Sequence, residues 1–459
     1  MTAQEIILTL IFTVVALGFF YFAITSWIEK HHRAALFSVA LTVLSLIILG
    51  LIFVSQSWLQ NTSLFLMVVG LILAGVWITR PFINRPNPSP PPNTRVDERT
   101  IMFARARLEP GTPEFEGYYK DHPEHFQPDQ AFRKHPGLLA PGSIFYDKRL
   151  ASMASSAFTI PEALRDAVEG PITNKVVSPN PKAFATFIKS LAKYLGAVDI
   201  GICELQPYHI YSHIGRGSGF YGAPITLNHQ FAIAFTVEMT HEMIQTAPKM
   251  PAVMESARQY AEAAKIAVIL GEAIRELGYP ARAHIDGNYR VIAPLVAKDA
   301  GLGEIGRMGL LMTPRLGPRV RLGVLTTDLP LIVDPPIWDP TVIDFCEQCQ
   351  KCALGCPAQA IPFDDRRNYE DGSLRWKIDS EKCYTYWTKV GTDCGRCMAV
   401  CPYSHPDTLM HNLIRFGVQN SANFRKAALK MDDLFYGKKP KPYAPPKWVR
   451  DVQEGKNNC

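Results

Sequence analysis

The chain has 459 residues, room for two or three domains, and carries 48 Lys plus Arg against 42 Asp plus Glu for a formal net charge of +6. That excess is too mild to argue for nucleic acid as a partner, and no polybasic footprint stands out. Eight of the ten cysteines fall between residues 346 and 401, leaving only Cys203 and Cys459 elsewhere, which speaks against a disulfide framework and suits a reducing or anaerobic setting.

A mean hydropathy of +0.00 conceals a lopsided chain. Residues 6–27 and 34–54 are uncharged apolar runs long enough to cross a bilayer, and 64–78 reaches the low end of that range once Ser63 and Thr79 are added. Three transmembrane helices are therefore expected within residues 1–80. The opening Met1-Thr-Ala-Gln-Glu5 lacks the basic stretch of a cleaved signal, and no twin-arginine precedes the apolar run. Lys30 and Arg33 lie in the first loop, the second loop (55–63) has no Lys or Arg, and Arg80, Arg85 and Arg95 follow the third run. Positive charges stay inside, so the expectation is a multi-pass protein of the cytoplasmic (inner) membrane with its soluble part in the cytoplasm and membrane lipid as a partner. Six prolines between Pro81 and Pro92 make 81–99 a stiff linker.

From about residue 100 the composition is that of an α/β or α+β body. The stretch 114–142 has no clear period and reads as irregular surface wrapping. Residues 181–195 read as a helix, 197–203 and 231–239 as buried strands, and 251–277 as the longest helix, ended by Gly278. Cys203 lies in an apolar run and reads as a core thiol. Gly215-Arg-Gly-Ser-Gly-Phe-Tyr-Gly222 fits a glycine-rich turn better than a phosphate loop, and the glycines of 301–309 are a weak sign of a nucleotide site. Tyr260 sits on the long helix, where the residues alone favour a core tyrosine. Arg319 and Arg321 are expected on one face of a strand over 320–325, because the strand period is two; each is either a salt-bridged arginine or an anion holder.

The cysteines form two runs, Cys346-x2-Cys349-x2-Cys352-x3-Cys356-Pro357 and Cys383-x10-Cys394-x2-Cys397-x3-Cys401-Pro402. This is the bacterial ferredoxin pattern written twice, the second time with a widened first gap. Zinc prefers isolated C-x2-C pairs, and neither zinc nor disulfides require a repeated C-x3-C-P ending. Two [4Fe-4S] clusters are therefore expected. Because the fourth cysteine of each run normally crosses over, one cluster falls to Cys346, Cys349, Cys352 and Cys401, and the other to Cys383, Cys394, Cys397 and Cys356.

Ala300-Gly-Leu-Gly-Glu-Ile-Gly-Arg307, Gly-Pro-Arg-Val-Arg321, Thr-Asp-Leu-Pro330, the two cysteine runs and Cys383-Tyr-Thr-Tyr-Trp387 together resemble the catalytic subunit of the corrinoid-dependent reductive dehalogenases, over roughly residues 140–410. The N-terminal helices resemble the small membrane-anchor protein that accompanies such enzymes, here fused in front. The resemblance implies an α+β chain: a transmembrane anchor (1–80), the linker (81–99), a nitroreductase-like cobalamin- and substrate-binding α/β core (100–335), a ferredoxin-like two-cluster module (336–410) and a C-terminal extension packing on the core (411–459). It implies a corrinoid (cobalamin) next to the first cluster, an organohalide substrate, and a quinol, ferredoxin or flavodoxin as electron donor. It also implies a tyrosine acid, matched to Tyr260, assisted by a basic residue, matched to Arg319 with Arg321 as fallback. Asp286 and Asn288 would line the same pocket and Trp387 would wall it. Two alternatives share these motifs: an epoxide deoxygenase resembling epoxyqueuosine reductase, and a membrane-bound ferredoxin-type carrier.

Overall fold

The computed structural model describes residues 3–54, scattered positions within 62–76, and residues 88–336 and 339–455. It divides into two compact units, one made of 1–85 with 407–440 and the other of 86–406 with 441–459.

The first unit is built on two apolar helices, Ala3–Ile28 and His32–Val54. Their segments Ile6–Ile28 and His32–Leu51 are long and apolar enough to cross a membrane, with a hydropathy of 2.5 each. Small residues meet between them: Ala16, Ala23, Ala35 and Ser38 are buried, while Leu10, Val14 and Leu17 are exposed. Small side chains let helix backbones approach closely and leave the large apolar groups facing outward. The third expected span, 64–78, falls mostly outside the described residues. Residues 411–440, expected on the catalytic core, belong instead to this unit; Phe435 packs against Phe22 and Phe37, with ring centroids 5.5 and 6.2 Å apart. The remainder of the extension, 441–459, stays with the core unit.

The second unit centres on an antiparallel sheet. Its strands are β1 (Ile200–Glu204), β2 (Phe231–Glu238), β3 (Ala281–His284) and, after a small hairpin of β4 (Glu304–Ile305) and β5 (Leu311–Met312), β6 (Val320–Thr327). The order is β1-β2-β6-β3. Alternation along β2 divides the core. Ile233, Phe235 and Val237 pack with Ala263, Ile266, Leu270 and Ile274 of the helix Met250–Glu276, and with Ile188 of the helix Pro181–Tyr194. Ala232 and Ala234 face the opposite way, towards Val296 and Ala297 of the helix Ala293–Asp299. Burying each large aliphatic side chain is worth about 1.5–3 kcal/mol, so helices on both faces hold the sheet. Gly323 is required on β6, because a Cβ there would lie 2.1 Å from the Phe235 ring.

The stretch 114–142 is not irregular throughout: it holds the helices Pro113–Asp121 and Pro123–Arg133, each opened by a proline in its first turn. Proline is well suited to that position, where its missing N–H costs nothing, so its abundance marks helix starts here. Cys203 is a core thiol, with its pKa pushed up to about 12 by burial.

Candidate functional site

The helix Pro340–Cys349 stops at Gln350, whose left-handed φ of 52° breaks the path before a second short helix, Lys351–Gly355. That break lets Cys346, Cys349 and Cys352 line one cavity, and Cys401 joins them with Arg307, Met308, Met312 and Phe345. Cys401 interacts electrostatically with all three of those thiols. Cys383, Cys394 and Cys397 interact in the same way with one another, and Cys356 joins Cys383 and Cys397. The structure thus brings each run's last cysteine to the other run. Burial pushes the Cys346 thiol up to about 11 and that of Cys397 to about 12. Such sulfurs are thiolates near neutrality only against a cation, which fits iron ligation.

Two cations already serve the first quartet. Arg307 is fully buried and donates to the carbonyls of Cys346 (3.0 Å), Pro362 (2.9 Å) and Asp364 (2.7 Å), with its guanidinium 4.8 Å from the Trp376 ring centroid. Lys351 lines the same cavity. The glycine run that weakly suggested a nucleotide site forms the β4–β5 hairpin here. A Cβ on Gly306 would sit 2.8 Å from Met312 Cγ and 3.5 Å from Cys346 Sγ.

A second constellation surrounds Tyr260. The Arg321 guanidinium lies 4.6 Å from its ring centroid. Arg321 Nη2 donates to Asp393 Oδ2 at 2.9 Å and also to Ser256 Oγ, and Ser256 Oγ donates to the same carboxylate. Ser256 and Tyr260 stand four residues apart on the long helix and therefore share a face. Asp286 and Tyr289 complete the charged surroundings. The Arg321 charge draws the Tyr260 hydroxyl pKa down, but burial, Asp286 and Asp393 outweigh it, and the phenol ends above its ordinary value. Burial likewise pushes Asp393 up, against Arg321 and Ser256. Among the described residues, Arg321 Nε and Asp393 Oδ1 are buried without a hydrogen-bond partner, which marks a place where a further polar group belongs.

Three expectations change. Arg319 does not pair with Tyr260. It precedes β6 rather than lying in it, is fully buried, and donates to Ser404 O (3.1 Å), Glu238 Oε1 (2.6 Å) and Met239 O. It clamps the loop after Cys401 to the end of β2, so the fallback, Arg321, is the arginine at Tyr260. Asn288 does not line the pocket: it is fully buried, accepting from Arg282 Nη2 at 2.9 Å and donating to Arg165 O at 3.1 Å. Finally, the chamber joins the second quartet rather than the first, since Asp393 precedes Cys394 and acts electrostatically on Cys383 and Cys394. Asp286 stays beside Tyr260. Trp387 packs on Phe103 (5.6 Å) and Tyr384 (6.0 Å), and its indole N–H donates to Cys383.

Residues 345–405 match the family of 4Fe-4S dicluster domains. The chain is 32% identical over 313 residues to the tetrachloroethene reductive dehalogenase of Sulfurospirillum multivorans, covering 61% of this chain and 60% of the relative. It is 36% identical over 213 residues to the enzyme of that name from Desulfitobacterium hafniense, covering 44% and 38%. The solved structure of a catabolic reductive dehalogenase, NpRdhA, superposes with a TM-score of 0.63 at 28% identity, over 77% of this chain and 48% of that one. The chain thus spans 60% or less of the length of these relatives. By sequence and by fold the chain is similar to the reductive dehalogenases, and its residues 345–405 match a 4Fe-4S dicluster domain.

Proposed function

We propose that this chain is a membrane-anchored oxidoreductase that removes halide from an organohalide: R–X plus two electrons and a proton gives R–H and X−. The observation that carries the reading is the half-buried Tyr260–Arg321 pair joined through Asp393 to a thiol quartet, in a chain similar to reductive dehalogenases. One of the solved relatives is described as performing B12-dependent dehalogenation, and another is bound to 3-bromo-4-hydroxybenzoic acid. In the present chain Cys346, Cys349, Cys352 and Cys401 would hold one [4Fe-4S] cluster, and Cys383, Cys394, Cys397 and Cys356 the other.

A corrinoid, when bound in the nitroreductase-like core, supplies the two-electron chemistry at the carbon–halogen bond. The unpartnered Arg321 Nε and Asp393 Oδ1 suit a polar group of that kind beside Tyr260. Tyr260 delivers the proton from its hydroxyl. Arg321 stabilises the phenolate left behind, and Ser256 with Asp393 holds that guanidinium over the ring. Asp286 raises the phenol's affinity for its proton. Trp387 packs against the second quartet and excludes water from it. Arg307 and Lys351 offset the negative charge that four thiolates bring into a buried site.

The apolar helices anchor the chain in the cytoplasmic membrane, and with the third expected span over 64–78 included, the arginine and lysine distribution puts the catalytic unit on the cytoplasmic side. Quinol, ferredoxin or flavodoxin is the donor class. Anaerobically purified protein should contain about eight iron atoms and cobalt, and should release bromide from 3-bromo-4-hydroxybenzoic acid or chloride from tetrachloroethene. Iron without cobalt would sink this reading and leave an electron carrier.

A further inference from the structure

Helix Leu409–Asn420 is inside out. A helix on an aqueous surface buries its apolar stripe and exposes its charges. Here the buried side chains are His411, Arg415 and Val418, while Leu409, Leu413 and Phe416 are 55–65% exposed. The next helix, Ala422–Phe435, continues the pattern: Arg425 is buried, and Met431 and Leu434 are exposed. No aqueous face explains five large exposed apolar side chains on a hairpin whose arginines point inward.

The same unit shows what covers them. Phe435 packs on Phe22 and Phe37, which stand six residues before the end of the first span and five after the start of the second. At 1.5 Å per residue those positions lie about 7–9 Å inside the spans. Phe435 therefore lies at a depth where the spans themselves are in contact with lipid. The inward-facing polar groups meet the loop between the spans: Glu29 approaches His411 Nδ1 at 3.8 Å and feels the Arg415 charge. Lys426 and Lys430 are exposed on the second helix, and Lys438 and Lys439 follow it.

We propose that residues 409–435 form a second membrane element, a hairpin lying within the bilayer interface at the loop end of the two spans. Its apolar face rests among acyl chains, and its exposed lysines contact anionic lipid headgroups. This deepens the anchor reading and rests on it. Two helices that lie in the interface bind by buried apolar area plus attraction to anionic lipid, and each basic residue near such a surface adds to that attraction.

The test uses the full chain reconstituted into vesicles of equimolar phosphatidylglycerol and phosphatidylcholine. A benzophenone amino acid is placed singly at Leu44, Leu413, Phe416 or Phe220. Leu44 lies mid-span and Phe220 is the most exposed large apolar side chain of the core unit, at 88%. Lipid adducts are expected at 44, 413 and 416 and none at 220. Adducts at 44 but not at 413 or 416 overturn the hairpin and leave the anchor standing. Their absence at 44 overturns the anchor itself, and the hairpin with it. Adducts to a second protein at 413 or 416 show that a partner covers the face, and also overturn the proposal. Lys426→Glu with Lys430→Glu should lower lipid adducts at 416 severalfold in these vesicles and leave them unchanged in pure phosphatidylcholine; an equal yield in both removes the headgroup contact.

Discussion

The thiol quartets and the Tyr260 chamber lie side by side, yet they are built in opposite ways. Each quartet takes three ligands from one run and borrows the fourth, so spacing of two or three residues does most of the placement. The chamber takes Ser256 and Tyr260 from a helix, Asp286 and Tyr289 from the loop after β3, Arg321 from β6 and Asp393 from the second cysteine run. Its geometry depends on the sheet, the long helix and the cluster module being docked together. A damaged quartet should therefore lose its cofactor, whereas a damaged chamber should keep its cofactors and lose chemistry.

The largest effect should come from crossing the quartets. Cys401→Ser is expected to lose about half of the eight irons and all halide release, measured as iron and acid-labile sulfide. Cys352→Ser combined with Cys401→Ser should lose no more iron than either alone, while Cys356→Ser combined with Cys401→Ser should lose nearly all. Nearly complete iron loss in the Cys352→Ser, Cys401→Ser double variant, which uncrossed quartets require, would undo the crossed assignment.

Next, Tyr260→Phe should keep iron and cobalt at wild-type levels while halide release falls by about 10²–10⁴-fold, the usual contribution of a general acid. Full turnover in that variant removes Tyr260 from the chemistry.

The two arginines then separate the regions. Arg321→Met should leave the phenol without the charge that lowers its pKa, so it becomes a weaker acid and turnover should drop steeply; the buried Asp393 carboxylate also loses its partner, so the melting temperature should fall as well. Arg319→Met leaves two carbonyls and the half-exposed Glu238 without their partner, a loss of about 1–3 kcal/mol. It should lower the melting temperature and loosen the loop after Cys401. An equal effect of the two substitutions on turnover would contradict the separate roles.

The smallest effect concerns the membrane unit. Burial pushes the Glu29 carboxyl up to about 7, with Arg415 opposing. A carboxyl whose pKa is raised by folding binds more protons when folded, so stability falls as pH rises from about 4.5 through about 7. Glu29→Gln should therefore stabilise the unit at pH 8, by on the order of 1 kcal/mol after solvent screening, and make no difference at pH 4. Thermal melting in detergent at the two pH values reads it, and a larger gain at pH 4 would reverse the sign.

Much of this protein was legible in the residues. The cysteine spacing named both quartets, the crossed fourth ligand included, because short loops place sulfurs without help from the rest of the fold. The two long apolar helices were equally legible, since lipid contact is written in local composition. So were the helices at 181–195 and 251–277 and three strands of the core, within a few residues, but not β3 or the helices Pro113–Asp121, Pro123–Arg133 and Lys148–Ala163. What the sequence could not decide was the choice between Arg319 and Arg321. Strand period puts both on one face, but β6 begins at Val320, and the residue just before it turns to meet Ser404 and Glu238. Asn288 was misread for the same reason: its neighbour Asp286 faces the chamber, while Asn288 locks Arg282 and the backbone of Arg165. Tyr260, a plain core tyrosine by periodicity, gains its setting from Arg321, 61 residues later, and from Asp393 in the cluster module. Local spacing can specify a ligand set; only packing between distant segments can put a charge over a phenol or leave the apolar side chains of a helix facing outward.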